Sequence, residues 1–312
     1  MNRRNLLGLA LVGTVTAGLA ACGGGDDPLA ADPGSSSSSS ADASTVIVGS
    51  ANFPESELLA EMYAQVLEGE GVTVQRKFNI GARELYLKAL DDGSIDLLPE
   101  YNGALLAYYL KGDAPEGVSS PETVLAALKE QLPDGLEVLD QSAAEDKDSL
   151  TVSAETKAKY DLTSIADLAP VAGDLVMGAG PEFQERYQGL VGLKELYGVE
   201  FKEFKPLDVG GPLTVAGLKD GSIQVGNLFT TDSAITTNRF VVLEDPKNLF
   251  LAQNVLPLIR SSKNTDAITT ALNAFSAKLT TDNLTTYLAK VSVDKQDSAT
   301  VAKAFLTDNG LA

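Results

Sequence analysis

One six-residue turn occurs twice in this chain, and it limits the folds available more than any other feature. Asp92-Gly93-Ser94-Ile95-Asp96-Leu97 returns as Asp220-Gly221-Ser222-Ile223-Gln224-Val225, 128 positions later. Each copy follows a stretch with apolar residues at helical spacing, 85–90 and 213–218. In each, the glycine is placed to end a helix and the isoleucine to lead into a strand. Two similarly wound lobes would produce this pattern, and so would a common helix-to-strand turn used twice.

Around these turns, short apolar runs alternate with helical patterns, which predicts an α/β fold. Strands are expected at 45–49, 72–78, 150–152, 175–178, 199–204, 223–228 and 240–243. Pro54 opens a helix at the position where its missing N–H does no harm, with Glu55 and Glu57 in the first turn. A second helix is expected at 83–91, and three more at 265–279, 283–291 and 300–306. With 312 residues the chain can build two lobes. The expected division is 46–148 plus 250–312 for lobe 1 and 149–249 for lobe 2, with two chain crossovers as the hinge.

Open α/β sheets bind ligands at the carboxyl ends of their strands. That rule selects the loops 50–55, 79–83, 99–104, 178–183 and 227–232. They supply Asn52, Arg83, Tyr101, Asn102, Phe229, Thr230, Thr231 and Asp232 as candidate ligand-binding residues. Asp232 also reads as a helix N-cap. Gly210-Gly211-Pro212 reads equally as an anion nest and as a tight turn. The charged run 145–148 reads as solvated, and of Tyr108 and Tyr109 one is expected inside and one facing water.

The first residues carry an address. Arg3 and Arg4 precede an apolar run at 6–19, and Leu19-Ala20-Ala21-Cys22 closes it. This is the pattern of a signal peptide spanning 1–21, and the tetrapeptide resembles a bacterial lipobox. It implies a lipid on the Cys22 sulfur and attachment to the extracytoplasmic face of the cell membrane. Positions 22–44 hold three consecutive glycines and the 35–40 serine run, a flexible tether with almost nothing to bury.

Composition removes several function classes. The chain has no histidine, which excludes Ser-His-Asp and Cys-His catalysis and imidazole metal sites. A single cysteine allows no internal disulfide. The formal charge is −19; without Arg3 and Arg4 it is −21, from 22 Lys+Arg against 43 Asp+Glu. Such a surface repels nucleic acid. No catalytic constellation stands out, so neither an enzyme nor a cofactor or metal site is expected. Ser292-Val293-Asp294-Lys295 matches a Ser-x-x-Lys spacing but lacks the partner motifs.

Several segments, in this order, resemble the osmoprotectant-binding proteins of ABC importers, receptors for glycine betaine, choline and carnitine. They are residues 49–55 (GSANFPE), 93–103 (GSIDLLPEYNG), 181–186 (PEFQER) with 192–194 and 197–198, 227–232 (NLFTTD), and 242–246 (VLEDP). The resemblance implies a two-lobed type II periplasmic-binding fold that closes over one small solute. In that family a cage of tyrosine faces holds a quaternary ammonium through cation–π attraction. Carried over by position, the cage retains Tyr101, has Asp148 at the second place, Phe229 at the third and Gln253 at the fourth. The family's second-lobe arginine corresponds to Arg186, while Ala104 and Ala51 replace a threonine and a lysine. Two aromatic walls remain from four. Asp148 would favour a cation, Gln253 would add hydrogen bonding, and Arg186 or Arg83 could meet a carboxylate bidentately.

The function implied is that of a solute-binding lipoprotein of an ABC importer, a monomer that takes a small polar, cationic or zwitterionic solute and delivers it to a membrane permease. The alternatives are a sensory or scaffold lipoprotein and an envelope enzyme working through paired carboxylates.

Overall fold

The computed structural model describes residues 45–312. The expected signal peptide, Cys22 and the tether lie outside the described residues. The strands, in chain order, are β1 (Thr45–Gly49), β2 (Thr73–Lys77), β3 (Leu97–Tyr101), β4 (Leu136–Val138) and β5 (Asp148–Val152). They continue as β6 (Val176–Ala179), β7 (Glu203–Pro206), β8 (Val225–Phe229), β9 (Val241–Val242) and β10 (Val255–Arg260). Two mixed sheets result, ordered β2-β1-β3-β10-β4 and β7-β6-β8-β5-β9, each covered by helices. Among the described residues no helix is long and apolar enough to cross a membrane.

The repeated turn belongs to a longer repeated unit. β1 runs parallel to β2 and β3, and β6 runs parallel to β7 and β8 in the same order. Gly93 and Gly221 both sit at φ +76°, the left-handed conformation that glycine adopts without a Cβ penalty. Ser94 N donates to Asp92 Oδ1 and Ser222 N to Asp220 Oδ1, each at 2.8 Å. Ile95 N reaches Ala89 O at 3.0 Å, and Ile223 N reaches Gly217 O at 3.2 Å. Each isoleucine then covers a glycine of the neighbouring strand: a Cβ on Gly49 would lie 2.7 Å from Ile95 Cδ1, and one on Gly178 2.6 Å from Ile223 Cδ1. One βαβ design is therefore built twice.

Most expected elements are present, with informative shifts. The 199–204 strand begins later, at Glu203. The 99–104 loop does not exist: β3 runs to Tyr101 and a helix, Asn102–Leu110, starts at once. β10 lies outside the expected strands; Pro257 interrupts its apolar run, and proline in a run argues against a central strand. Pro257 is paired in register with Pro99 of β3, but its carbonyl accepts from Leu139 N at 3.0 Å, so its missing N–H faces the 139–147 crossover, where the β10–β4 register reaches only to Leu258↔Val138. Pro99 has no N–H, and the parallel ladder between β1 and β3 ends earlier, at Val48↔Leu97. Beyond that point the strands part, and a crevice opens at their carboxyl ends.

The C-terminal helices Asp266–Ser276, Thr281–Ser292 and Ser298–Asp308 pack with β1, β3 and the Pro54–Gly69 helix in one core that includes Tyr63, Phe275 and Phe305. Thr265, Thr280 and Asp297 cap these three helices. The second sheet has its own core around Leu150, Met177 and Val225. Two crossover segments join the sheets, residues 139–147 and 243–254. They touch as an antiparallel bridge, Glu145↔Asn254.

Candidate functional site

Both βαβ units direct their strand ends at one cavity of about 480 Å³. Its floor is aromatic. The Phe53 ring, just before the Pro54–Gly69 helix, stacks against Tyr101 from β3 at 6.2 Å and against Phe229 from β8 at 5.5 Å. Tyr101 is 7% exposed, and its hydroxyl is already engaged as a donor to Glu55 Oε1 at 2.7 Å, so it offers its ring. Phe53 was not singled out from the sequence. Its place between a strand end and a helix-opening proline was the available signal.

Of the other expected residues, Asn52, Arg83, Asp148, Arg186 and Gln253 line the same cavity. Asn102, Thr230, Thr231 and Asp232 are not among its lining residues, and each has a different job. Asn102 Oδ1 accepts from Asn254 N at 2.8 Å while its Nδ2 donates to Gln141 Oε1 at 2.8 Å, which ties the start of the Asn102–Leu110 helix to both crossovers. Thr230 Oγ1 accepts from Lys147 N at 2.9 Å. Asp232 caps the Ser233–Thr237 helix by accepting from Ala234 N at 2.7 Å. Thr231 is buried in the acid pair described below.

Both arginines are charge-matched within the chain. Arg83 Nε and Nη2 hold Glu100 Oε2 and Oε1 at 2.7 and 2.8 Å. Arg186 Nε and Nη2 hold Glu84 Oε1 and Oε2 at 3.1 and 3.0 Å, bridging the cleft. Burial raises the Glu84 carboxyl, but the Arg186 hydrogen bonds and charge outweigh it and hold the group below its ordinary value. The Nε–Nη2 edge of each guanidinium is thus taken by a carboxylate of the chain itself. The partners lie 17 and 102 residues away, and neither separation is visible as a motif.

Asp148 behaves differently. Its Oδ1 accepts from Asn227 Nδ2 at 2.9 Å and its Oδ2 from Gln253 Nε2 at 3.2 Å, both neutral amides. No ion pair reaches it among the described residues. Once Arg83 and Arg186 are matched, Asp148, Glu182 and Glu185 on the walls face only Lys111. The cavity therefore presents ring faces and net negative charge.

Beneath the rings lies a group the sequence reading misjudged. Asp146, in the charged run that reads as solvated, is 2% exposed, and Glu55 is 3% exposed. Their carboxyls hydrogen-bond each other. Thr231 Oγ1 lies 2.8 Å from Glu55 Oε2 and 2.8 Å from Asp146 Oδ1, and Thr231 N donates to Asp146 Oδ1 at 3.0 Å. Desolvation raises both carboxyls, and the Glu55 charge pushes Asp146 further, well above the usual range. Burial and mutual repulsion keep one proton on the pair. The pair links the first helix, a crossover and the exit of β8.

Two other readings resolve simply. The Gly210-Gly211-Pro212 turn is not an open anion nest, because Asp208 accepts from Leu213 N at 2.8 Å and Thr214 N at 2.9 Å. Tyr108 and Tyr109 do not divide into one buried and one exposed ring; both are half-buried and meet edge to face at 5.4 Å.

Residues 44–308 match the family described as the substrate binding domain of ABC-type glycine betaine transport systems. The carnitine transport binding protein OpuCC of Listeria monocytogenes is 24% identical over 272 residues, covering 85% of this chain and 87% of that protein. A glycine-betaine-binding protein of Pseudomonas aeruginosa is 25% identical over 284 residues, covering 87% of this chain and 90% of that protein. A crystal structure of a glycine betaine/carnitine/choline ABC transporter superposes with a TM-score of 0.66 at 23% identity, covering 85% of this chain and 99% of the other.

Proposed function

The chain belongs to the substrate-binding domain family of ABC-type glycine betaine transport systems, and from that premise we propose that it captures a small cationic or zwitterionic solute and hands it to a membrane permease. The observation that carries the choice of solute is the joint placement of the Tyr101–Phe53–Phe229 ring stack and Asp148 in one cavity whose arginines are already paired. Ring faces attract an ammonium that has no strong donors of its own, and Asp148 adds a carboxylate that neutral amides orient without neutralising.

In this reading the chain performs no chemistry. Residues 46–148 with 250–312 form one lobe and 149–249 the other, and they close by bending at the paired crossovers. Cys22 carries the lipid that holds a monomeric protein at the extracytoplasmic face. The membership supports the transport role. The lipobox-like Leu19-Ala20-Ala21-Cys22 supports the anchor.

Calorimetry on a chain beginning at Ser44 tests the reading, with glycine betaine, choline, carnitine and simple amines as titrants. At least one cation is expected to bind. Phe53→Ala should weaken it by about 0.5–2 kcal/mol, the range of a cation–π contact. Asp148→Asn should weaken it by about 1.5–3 kcal/mol, the range of a hydrogen bond to a charged group. Binding of anions or neutral sugars alone, with these cations silent, would remove the proposal.

A further inference from the structure

Gln188 lines the cavity and is 7% exposed, yet its Nε2 has no hydrogen-bond partner among the described residues. A buried donor without an acceptor is costly and uncommon, and one that faces a binding cavity points to an acceptor supplied from outside the chain.

Which atom of the amide is left over follows from a chain of partners. Asp148 Oδ2 can only accept when ionised, so the Gln253 atom 3.2 Å away is its Nε2. The same Gln253 Nε2 lies 3.5 Å from Gln188, a distance at the edge of a hydrogen bond, which turns Gln188 Oε1 toward it. Nε2 is what remains. Reversing Gln188 would set two N–H₂ groups against each other.

The local backbone is shaped to deliver this side chain. The segment Tyr187–Val191 departs from helical geometry at Gln188 (φ −74°, ψ 57°) and Gly189. A Cβ on Gly189 would lie 2.1 Å from Phe183 O, and one on Gly192 would lie 2.3 Å from Tyr187 O. Only glycine permits so close a return of the chain. The fold thereby turns Gln188 inward, although the next residue but one before it, Arg186, is already committed to Glu84.

Resting on the cation-binding reading above, we propose that Gln188 is a specificity-determining ligand residue: its Nε2 donates to an acceptor oxygen carried by the solute. The site is then built for a cation that also bears a carboxylate or carbonyl. The cationic end meets the rings and Asp148, and the acceptor end meets Gln188.

The test is calorimetry of the wild-type chain and of Gln188→Leu and Gln188→Glu, with glycine betaine, carnitine and tetramethylammonium as probes. Tetramethylammonium has the cationic head and no acceptor. For the wild type, glycine betaine or carnitine should bind more tightly than tetramethylammonium. Gln188→Leu should weaken the zwitterion about ten- to a hundredfold and leave tetramethylammonium within about twofold. Gln188→Glu, which keeps an acceptor for Gln253 but sets an oxygen against the ligand, should weaken the zwitterion at least as much. A side-chain amide resonance of Gln188 that moves on adding the zwitterion, and not on adding tetramethylammonium, supports the same assignment without any substitution. Equal losses for all probes, or no loss, overturns the role of Gln188 while the cation site stands. Failure of all three probes to bind the folded wild type overturns the cation site and this inference with it.

Discussion

Glu100→Leu is expected to destabilise the fold by about 3–5 kcal/mol, the range for stranding one member of a buried ion pair. Glu100 is fully buried and Arg83 is 9% exposed. The carboxylate accepts from Arg83 twice, from Tyr86 Oη at 2.9 Å and from the Tyr101 amide at 2.9 Å. Removing it leaves a guanidinium with no anion beside a low-dielectric core, and a tyrosine hydroxyl with no acceptor. Burial by itself disfavours the Arg83 charge; the Glu100 carboxylate restores it and holds the group above its ordinary range. The double substitution Arg83→Met with Glu100→Leu removes both charges and should recover most of the loss, since an apolar replacement of similar volume is often neutral or better. Urea midpoints for the two singles and the double, at unchanged slope, measure the coupling. A single-substitution loss below about 1 kcal/mol would show that the pair is far better solvated than its burial implies.

The same pair explains where the sequence was silent. A strand-end tyrosine, Tyr101, and a repeated glycine turn follow local rules of period and conformation, so both were legible. Whether an arginine is free is not a local property. Arg83 opens the helix after the 79–83 loop and Arg186 follows the 178–183 loop, and only the packing of the Arg83–Asp91 helix on β3, and of the two sides of the cleft, shows that each is paired with a carboxylate. Asp146 fails for a related reason. Four charged residues in a row read as solvated, but the segment is the crossover itself. It is buried because Gln253 O accepts from Asp146 N at 3.1 Å and Thr231 covers the carboxyl. β10 is hidden by Pro257, which the strand tolerates because its missing N–H faces the crossover beyond the end of the β10–β4 register. Gln188 carried one faint signal, the two nearby glycines Gly189 and Gly192, and their meaning depends on a carbonyl that sequence spacing cannot locate.

Asp146→Asn should make the fold less sensitive to alkaline pH, and the sign follows from linkage. Desolvation first, then the Glu55 charge, raise the Asp146 carboxyl well above its usual value, so the folded protein keeps a proton that the unfolded chain releases near pH 3.9, roughly. A group raised in the folded state contributes its full stabilisation below the unfolded value and loses it as pH climbs toward the folded one. Across that window the wild type should forfeit up to about 1.4 kcal/mol per pH unit from this group alone. Asparagine imitates the protonated acid: its oxygen still accepts from Thr231 N, its amide donates to Glu55, and nothing is left to titrate. The variant and the wild type should therefore match near pH 4 and separate as the pH rises, with the variant the more stable. Asp146→Ala supplies the contrast, because it strands the Thr231 N–H and the Glu55 oxygens and should cost about 1–3 kcal/mol even at the acid end. Urea midpoints from pH 4.5 to 8 distinguish these outcomes. Parallel curves for wild type and Asp146→Asn would mean that the proton is not held there, and that Glu55 and Asp146 join the two sides of the cleft without acting as an acid–carboxylate pair.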